Sequence, residues 1–419
     1  MKDIFEFLND SPSAFHVVEN VSDALEEQCY MELNENETWH LSKSRKCYVK
    51  RNGSSIIAFA IPKKEIKGFH IFSAHSDSPS FRIKENTEMV FEENYVRLNV
   101  EKYGGMIMPS WFDRPLSVAG RVVVRDGNSL VEKMVNVDRD LLVIPNVAIH
   151  MRSELNKDLT YSVQSDLLPF FGGFSSKGEF DNLIAKAAGV NKEDVLGRDL
   201  FLYPRQKAVT VGADNEFIMA HGLDDRSSVY AGLCGLLNSE DEGEYVRVLA
   251  VFDNEEVGSG TKQGADSTFL EDTLFRIAES LSYSRTDFLK LLSESFNISA
   301  DNAHAVHPAL PSKADPTARP YLNKGIVLKF NGNQRYATDA YSAAYLRKLC
   351  ADNDLKVQNY SNNSDVLGGT TLGNISTAHI SVKTVDIGLP QLAMHSAVET
   401  MGVKDYEDMI KLATAYFEE

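Results

Sequence analysis

Tyr245-Val246-Arg247-Val248-Leu249-Ala250-Val251-Phe252 runs directly into Asp253-Asn254-Glu255-Glu256-Val257-Gly258-Ser259-Gly260. The first half is an apolar run of strand length, as expected of a strand buried on both faces. The second half sets two adjacent glutamates just past the strand, then glycines that permit close backbone approach. Adjacent side chains often point apart, so one glutamate can bind a metal while the other serves as a base. A solvated acidic turn is the competing reading. In open α/β sheets, sites form outside the carboxyl ends of strands.

Outward from this stretch, a strand–helix rhythm runs from residue 221 onward. Ser227–Leu237 has helical spacing, and Thr273–Leu292, Ala340–Cys350 and Met401–Phe417 read as further helices. Val327–Phe330 and Ile380–Asp386 read as strands. Upstream, residues 3–29 are helix-rich. Cys47–Arg51, Ser55–Ile61 and Gly68–Ser73 are short strands, the first two joined through Asn52-Gly53, which tolerates positive φ. From about residue 88 to 215 the texture is mostly β. Arg97–Val100, Val118–Arg125 and Leu130–Val135 are strand-like there, Asp126-Gly127 a tight turn, and Gly172–Gly178 a loop. The expectation is an α/β domain of residues 1–87 and 216–419, split by a β-rich insertion of residues 88–215.

Composition narrows the function. The chain has 419 residues, 43% hydrophobic and 25% charged, which is ordinary globular usage. The net charge of −17 shows no basic stripe, so neither nucleic acid nor an anionic membrane surface is an expected partner. Cys29, Cys47, Cys234 and Cys350 are far apart, which disfavours a cysteine-based zinc site or redox pair. The N-terminus lacks the form of a signal peptide, and no apolar stretch reaches membrane-spanning length. A soluble cytoplasmic protein is expected.

Three further segments concentrate polar residues. In Phe72-Ser73-Ala74-His75-Ser76-Asp77-Ser78-Pro79, an extended backbone puts positions i and i+2 on one face. His75 can then bind a metal while Asp77 orients it. In His221-Gly222-Leu223-Asp224-Asp225-Arg226, two carboxylates precede a helix. Capping needs one of them, and the other is free to ligate, or to bridge two metals with its two oxygens. Asp301 and His395 complete a nitrogen–oxygen donor set suited to zinc, manganese or cobalt. Five ligands with one bridging carboxylate fit two metals at close range. Gly368-Gly369-Thr370-Thr371-Leu372-Gly373 lacks the P-loop lysine and reads as a substrate-facing loop or a turn. No Gly-x-Ser-x-Gly is present, so a serine nucleophile is poorly supported.

In this order the segments resemble the aspartyl aminopeptidase family of dinuclear metallopeptidases, over almost the whole chain. The resemblance also rests on Phe7–His16, Arg51–Phe59, Tyr103-Gly104-Gly105, Trp111-Phe112-Asp113-Arg114, Ile144–His150, Ser299–Pro308, Gln334–Thr338 and Gln391–Ser396. It implies a central mixed β-sheet flanked by helices, plus an inserted β-rich dimerisation domain. It also implies that Asp224 bridges two metals, that His75 and Asp301 complete one site, and that Glu256 and His395 complete the other. Glu255 would be the general base, and Asp77 would support the metal-bound His75. Lys329, with Gly369 and Thr370, would lie near substrate, and His150 would reach a neighbouring subunit's site in a tetrahedral dodecamer.

The sequence departs from the family at Ser44-Arg45, where Gly-Gly is usual, and at Gly368, where Cys is common. The second departure bears on side-chain preference. The function implied is removal of N-terminal residues, acidic ones among them, from short peptides with a free N-terminus. Two divalent ions, zinc first and manganese or cobalt as alternatives, would activate the attacking hydroxide. The alternatives are a related amidohydrolase (carboxypeptidase or deacylase) and a non-catalytic assembly protein.

Overall fold

The structure is a computed structural model that describes residues 2–157, 159–240, 243–366 and 368–419. It comprises two compact units: Met1–Asp77, Ala208–Met394 and Glu399–Glu419 form the first, Ser78–Lys207 with His395–Val398 the second.

The first unit is built on a nine-stranded mixed sheet. Its order is Met31–Leu33, Lys46–Arg51, Ser55–Ala60, Tyr245–Phe252, Gly68–His75, Phe296–Ala300, Lys383–Gly388, Ile326–Phe330 and Val357–Ser361. Tyr245–Phe252, Gly68–His75, Phe296–Ala300 and Lys383–Gly388 are mutually parallel. Both faces are covered, and the alternation along each strand shows it. Ile71, Val248 and Ala250 pack with Phe269 and Phe288 in one core. Phe72, Leu249 and Val251 pack with Leu233, Leu412 and Tyr416 in the other. The apolar run Tyr245–Phe252 is therefore a central strand, as its sequence predicts. The chain leaves Gly68–His75 for Tyr245–Phe252 on one side and reaches Phe296–Ala300 on the other. In open α/β sheets such a change of direction marks where a ligand site forms, at the carboxyl ends.

Asn52 (φ 59°) and Gly53 (φ 62°) turn the chain between the second and third strands, as the Asn-Gly pair predicts. Thr273–Leu292 is not one helix. It breaks into Phe269–Ser280 and Arg285–Glu294. Ser284 starts the second of these: its hydroxyl accepts from Asp287 N–H while the Asp287 carboxylate accepts from Ser284 N–H, a capping box. The strand expected at Ile380–Asp386 runs instead over Lys383–Gly388. Met401 belongs to the strand Glu399–Gly402, and the helix begins at Val403. A smaller five-stranded sheet orders Val209–Val211, Phe217–Ala220, Glu399–Gly402, Pro390–Leu392 and Ala303–His304.

The second unit is a six-stranded antiparallel sheet, ordered Ser129–Asn136, Leu116–Asp126, Val195–Pro204, Ser80–Phe91, Tyr95–Tyr103 and Phe170–Gly173. Its core gathers Phe81, Trp111, Phe180 and Leu200. Gly172 and Gly173, expected in a loop, end its edge strand.

Candidate metal centre

Three neighbouring parallel strands deliver the candidate ligands to one edge. His75 ends Gly68–His75, Asp301 follows Phe296–Ala300, and Glu255 and Glu256 follow Tyr245–Phe252. The glutamates sit in a short 3-10 turn entered through Asn254 (φ 61°) and left through Gly258 (φ 94°). Asn254 tolerates that backbone and braces it. Its amide oxygen accepts from Thr261 Oγ1 at 2.8 Å and Gln263 Nε2 at 2.9 Å. The fourth contributor is the start of helix Leu223–Asn238. Asp224 and Asp225 have non-helical backbones there, and the cap position is Gly222. Asp225 Oδ2 instead accepts the backbone N–H of His75 at 3.3 Å.

His75 stands between two carboxylates, with Nε2 3.6 Å from Asp224 Oδ1 and Nδ1 3.3 Å from Asp77 Oδ1. Asp77 also receives the N–H groups of Glu255 and Glu256, each at 3.1 Å, one on each oxygen. It thus fixes an imidazole and the glutamate turn together. His75, Asp224 and Asp301 each offer a donor atom within 4.8 Å of the others, and so do His75, Glu255 and Glu256. Lys329 Nζ lies 3.7 Å from Asp301 Oδ1 and 5.5 Å over the ring of Tyr336.

Charge crowding dominates the electrostatics. Burial, then the neighbouring Asp301 carboxylate, pushes Glu255 well above the usual carboxylate range. Burial raises Asp301 to about 6, against the opposing pull of Lys329. Asp225 is raised by burial and by Asp301 and Asp224, although His75 opposes this. For His75, burial disfavours the imidazolium, but Asp224, Asp77 and Asp225 outweigh it and raise the group. So many buried carboxylates around one imidazole are costly unless positive charge joins them. A divalent cation supplies that charge, and the imidazole and carboxylate donors are those that zinc accepts. The residues present therefore fit a metal.

The family model for aminopeptidase I zinc metalloproteases (M18) matches residues 7–417. The chain belongs to the M18 aminopeptidase family. It is a metal-dependent aminopeptidase of that family, which includes the aspartyl aminopeptidases its motifs resemble. It is 46% identical over 413 residues to "Probable M18 family aminopeptidase 2" of Clostridium acetobutylicum, covering 97% of this chain and 95% of that protein. The protein of the same name from Ectopseudomonas mendocina is 39% identical, over 99% of this chain and 97% of its own. Among solved structures, a chain of the Ape4 and Nbr1 complex superposes with a TM-score of 0.95 at 33% identity, covering 99% of this chain and 84% of that one. The S. cerevisiae mApe1 dodecamer gives a TM-score of 0.87 at 26% identity, covering 99% and 95%.

In this M18 chain, His395 and His150 belong to the second unit. His395 has φ 66° and its carbonyl accepts from Ile107 N–H at 2.9 Å, while His150 is exposed. Thr370 Oγ1 accepts from Arg335 Nη1 at 3.3 Å, and a Cβ added to Gly369 would meet open space.

Sequence reasoning missed three supports of the M18 site. Asp225 was visible only as half of an Asp-Asp pair. Glu399 Oε2 accepts from Asp224 N–H at 3.0 Å. Asn302 Nδ2 donates to the Leu223 carbonyl at 2.8 Å and to Gln391 Oε1 at 3.0 Å. No local motif marks Glu399. Asn302 stood next to a suspected ligand and went unweighed.

Proposed function

We propose that this aminopeptidase uses two divalent ions, zinc first among them, to remove N-terminal residues from short peptides with a free α-amine. His75 and Asp301 would hold one ion, Glu256 and His395 the other, and Asp224 both. The observation that carries the reading is the convergence of His75, Asp224 and Asp301 within 4.8 Å at the carboxyl ends of the central strands. Ions bound there supply Lewis acidity and lower the pKa of water.

The chain's own groups do the rest. Glu255 takes the proton of the attacking water and returns one to the leaving amine. Asp77 holds His75 and the Glu255-Glu256 turn in place. Lys329 is a buried cation available to an acidic first side chain. The four cysteines are free, which agrees with a reducing cytoplasm. Among the described residues no helix is long and apolar enough to cross a membrane.

For the assembly we propose a closed homo-oligomer of twelve chains, in which the second unit mediates dimerisation and His150 serves a neighbouring subunit's site. Val147 (40% exposed), Ile149 (45%) and Met151 (82%) surround His150 and offer apolar contact area. A panel of free-amine and N-blocked peptides, assayed with zinc, manganese and cobalt, tests the chemistry. Cleavage of N-blocked peptides alone would return the reading to a deacylase. Light scattering tests the assembly, and a fully active monomer near 46.7 kDa would overturn it.

A further inference from the structure

Two loops meet on one buried carboxylate near the metal end of the central sheet. Asp386 lies on Lys383–Gly388, paired with Ser299, and is fully buried. Its Oδ1 accepts from Thr371 Oγ1 at 2.9 Å, and its Oδ2 accepts the backbone N–H of Ala337. Its own N–H donates to Thr338 Oγ1 at 2.9 Å. Thr371 follows Gly369 and Thr370, whereas Ala337 and Thr338 follow Arg335 and Tyr336. The Arg335–Thr370 hydrogen bond joins the same two loops a second time. Gly373 shows how closely the carboxylate is enclosed: a Cβ there would lie 2.6 Å from Asp386 Oδ1 and 2.5 Å from Ser299 Oγ. Tyr336, one residue before Ala337, is the ring beneath Lys329.

We infer that Asp386 is a positioning residue for substrate, holding the 335–338 and 369–371 loops in one register and, with them, Tyr336 under Lys329. This rests on the reading of Lys329 and the Gly369-Thr370 loop as substrate-facing. Hydrogen bonds to a buried carboxylate are charge-assisted and geometrically demanding. Removing the acceptor strands the part-buried Ala337 N–H and the buried Thr371 hydroxyl, and the loops then lose their common anchor. The proton transfers assigned to Glu255 do not involve these loops. The loss therefore falls on binding and leaves the chemical step alone.

The test compares metal-loaded wild type, Asp386→Ala, Asp386→Asn and Thr371→Val on dipeptides beginning with Asp or with Leu, alongside metal content and melting temperature. For the peptide that wild type cleaves best, Asp386→Ala should raise KM about tenfold with kcat held within about threefold. Asp386→Asn, which keeps one acceptor and the side-chain shape, should restore most of the loss. Thr371→Val should move KM in the same direction by less. A fall in kcat at unchanged KM, activity lost in proportion to metal, or unchanged KM in Thr371→Val would overturn the inference, the last even if Asp386→Ala fails to fold. Lys329→Met tests the underlying reading separately. An unchanged Asp-to-Leu ratio in that variant would remove acidic recognition and leave the KM comparison intact.

Discussion

The backbone N–H of Asp224 donates to Oε2 of Glu399 at 3.0 Å, across 175 residues of chain. Asp224 Oδ1 lies 3.6 Å from His75 Nε2, so the strand Glu399–Gly402 fixes the backbone of a candidate ligand. Both residues are buried, and the fully buried Arg226 lies in the same field. Glu399→Ala should weaken metal binding by ~10–100-fold, the range for lost outer supports of metal ligands. Titration of the metal-free protein with zinc measures this, and wild-type affinity would refute it.

Glu255 is expected to be the base. Glu255→Gln should bind metal as wild type does and lower kcat by at least ~100-fold. Single-turnover kinetics beside metal analysis give both numbers, and a near-wild-type rate counts against the role.

Metal removal should destabilise the fold. Asp224, Asp225, Glu255 and Asp301 then face one another without a neutralising cation. Restoring zinc to 100 times its dissociation constant should return about 2.7 kcal/mol by mass action. Calorimetry with a chelator and then with excess zinc checks this, and an unchanged melting temperature would contradict it.

Acid should destabilise the protein through a histidine remote from the metal. His70 stacks between Tyr245 and Tyr416, and its Nδ1 lies 3.1 Å from the Tyr416 carbonyl. Burial lowers it from the ordinary 6.5 to about 4, with the Tyr416 carbonyl opposing. A cation disfavoured in the folded state leaves stability complete above pH 6.5. That stability drains away as pH falls from 6.5 through 4, by about 3 kcal/mol. Urea midpoints between pH 7 and 4 should fall less steeply in His70→Phe. Parallel slopes for wild type and variant would exclude His70 as a contributor. His16, also held near 4 by burial, contributes a second component that this variant leaves in place.

Much of the candidate site was legible because its candidate residues follow apolar strands directly, as His75, Asp301 and the glutamate pair do. The helix break at Ser282–Ser284 was not, because apolar periodicity on both sides masks a single left-handed residue, Ser282 at φ 70°. Glu399 was invisible for a different reason. Its partner is distant in sequence, and a lone glutamate in a strand gives no local sign of the backbone amide it serves. Asp225 was legible only as one of two possible helix caps, since helix-start statistics carry no information about a neighbouring strand.

The position of Lys383–Gly388 in the sheet bears on the order of synthesis. That strand lies between Phe296–Ala300 and Ile326–Phe330, although both leave the ribosome earlier. The edge of Phe296–Ala300 that precedes Asp301 therefore lacks this partner until residue 388 has emerged, long after His75 and Asp224. Closing such a sheet depends on a long-range pairing that is completed late in synthesis.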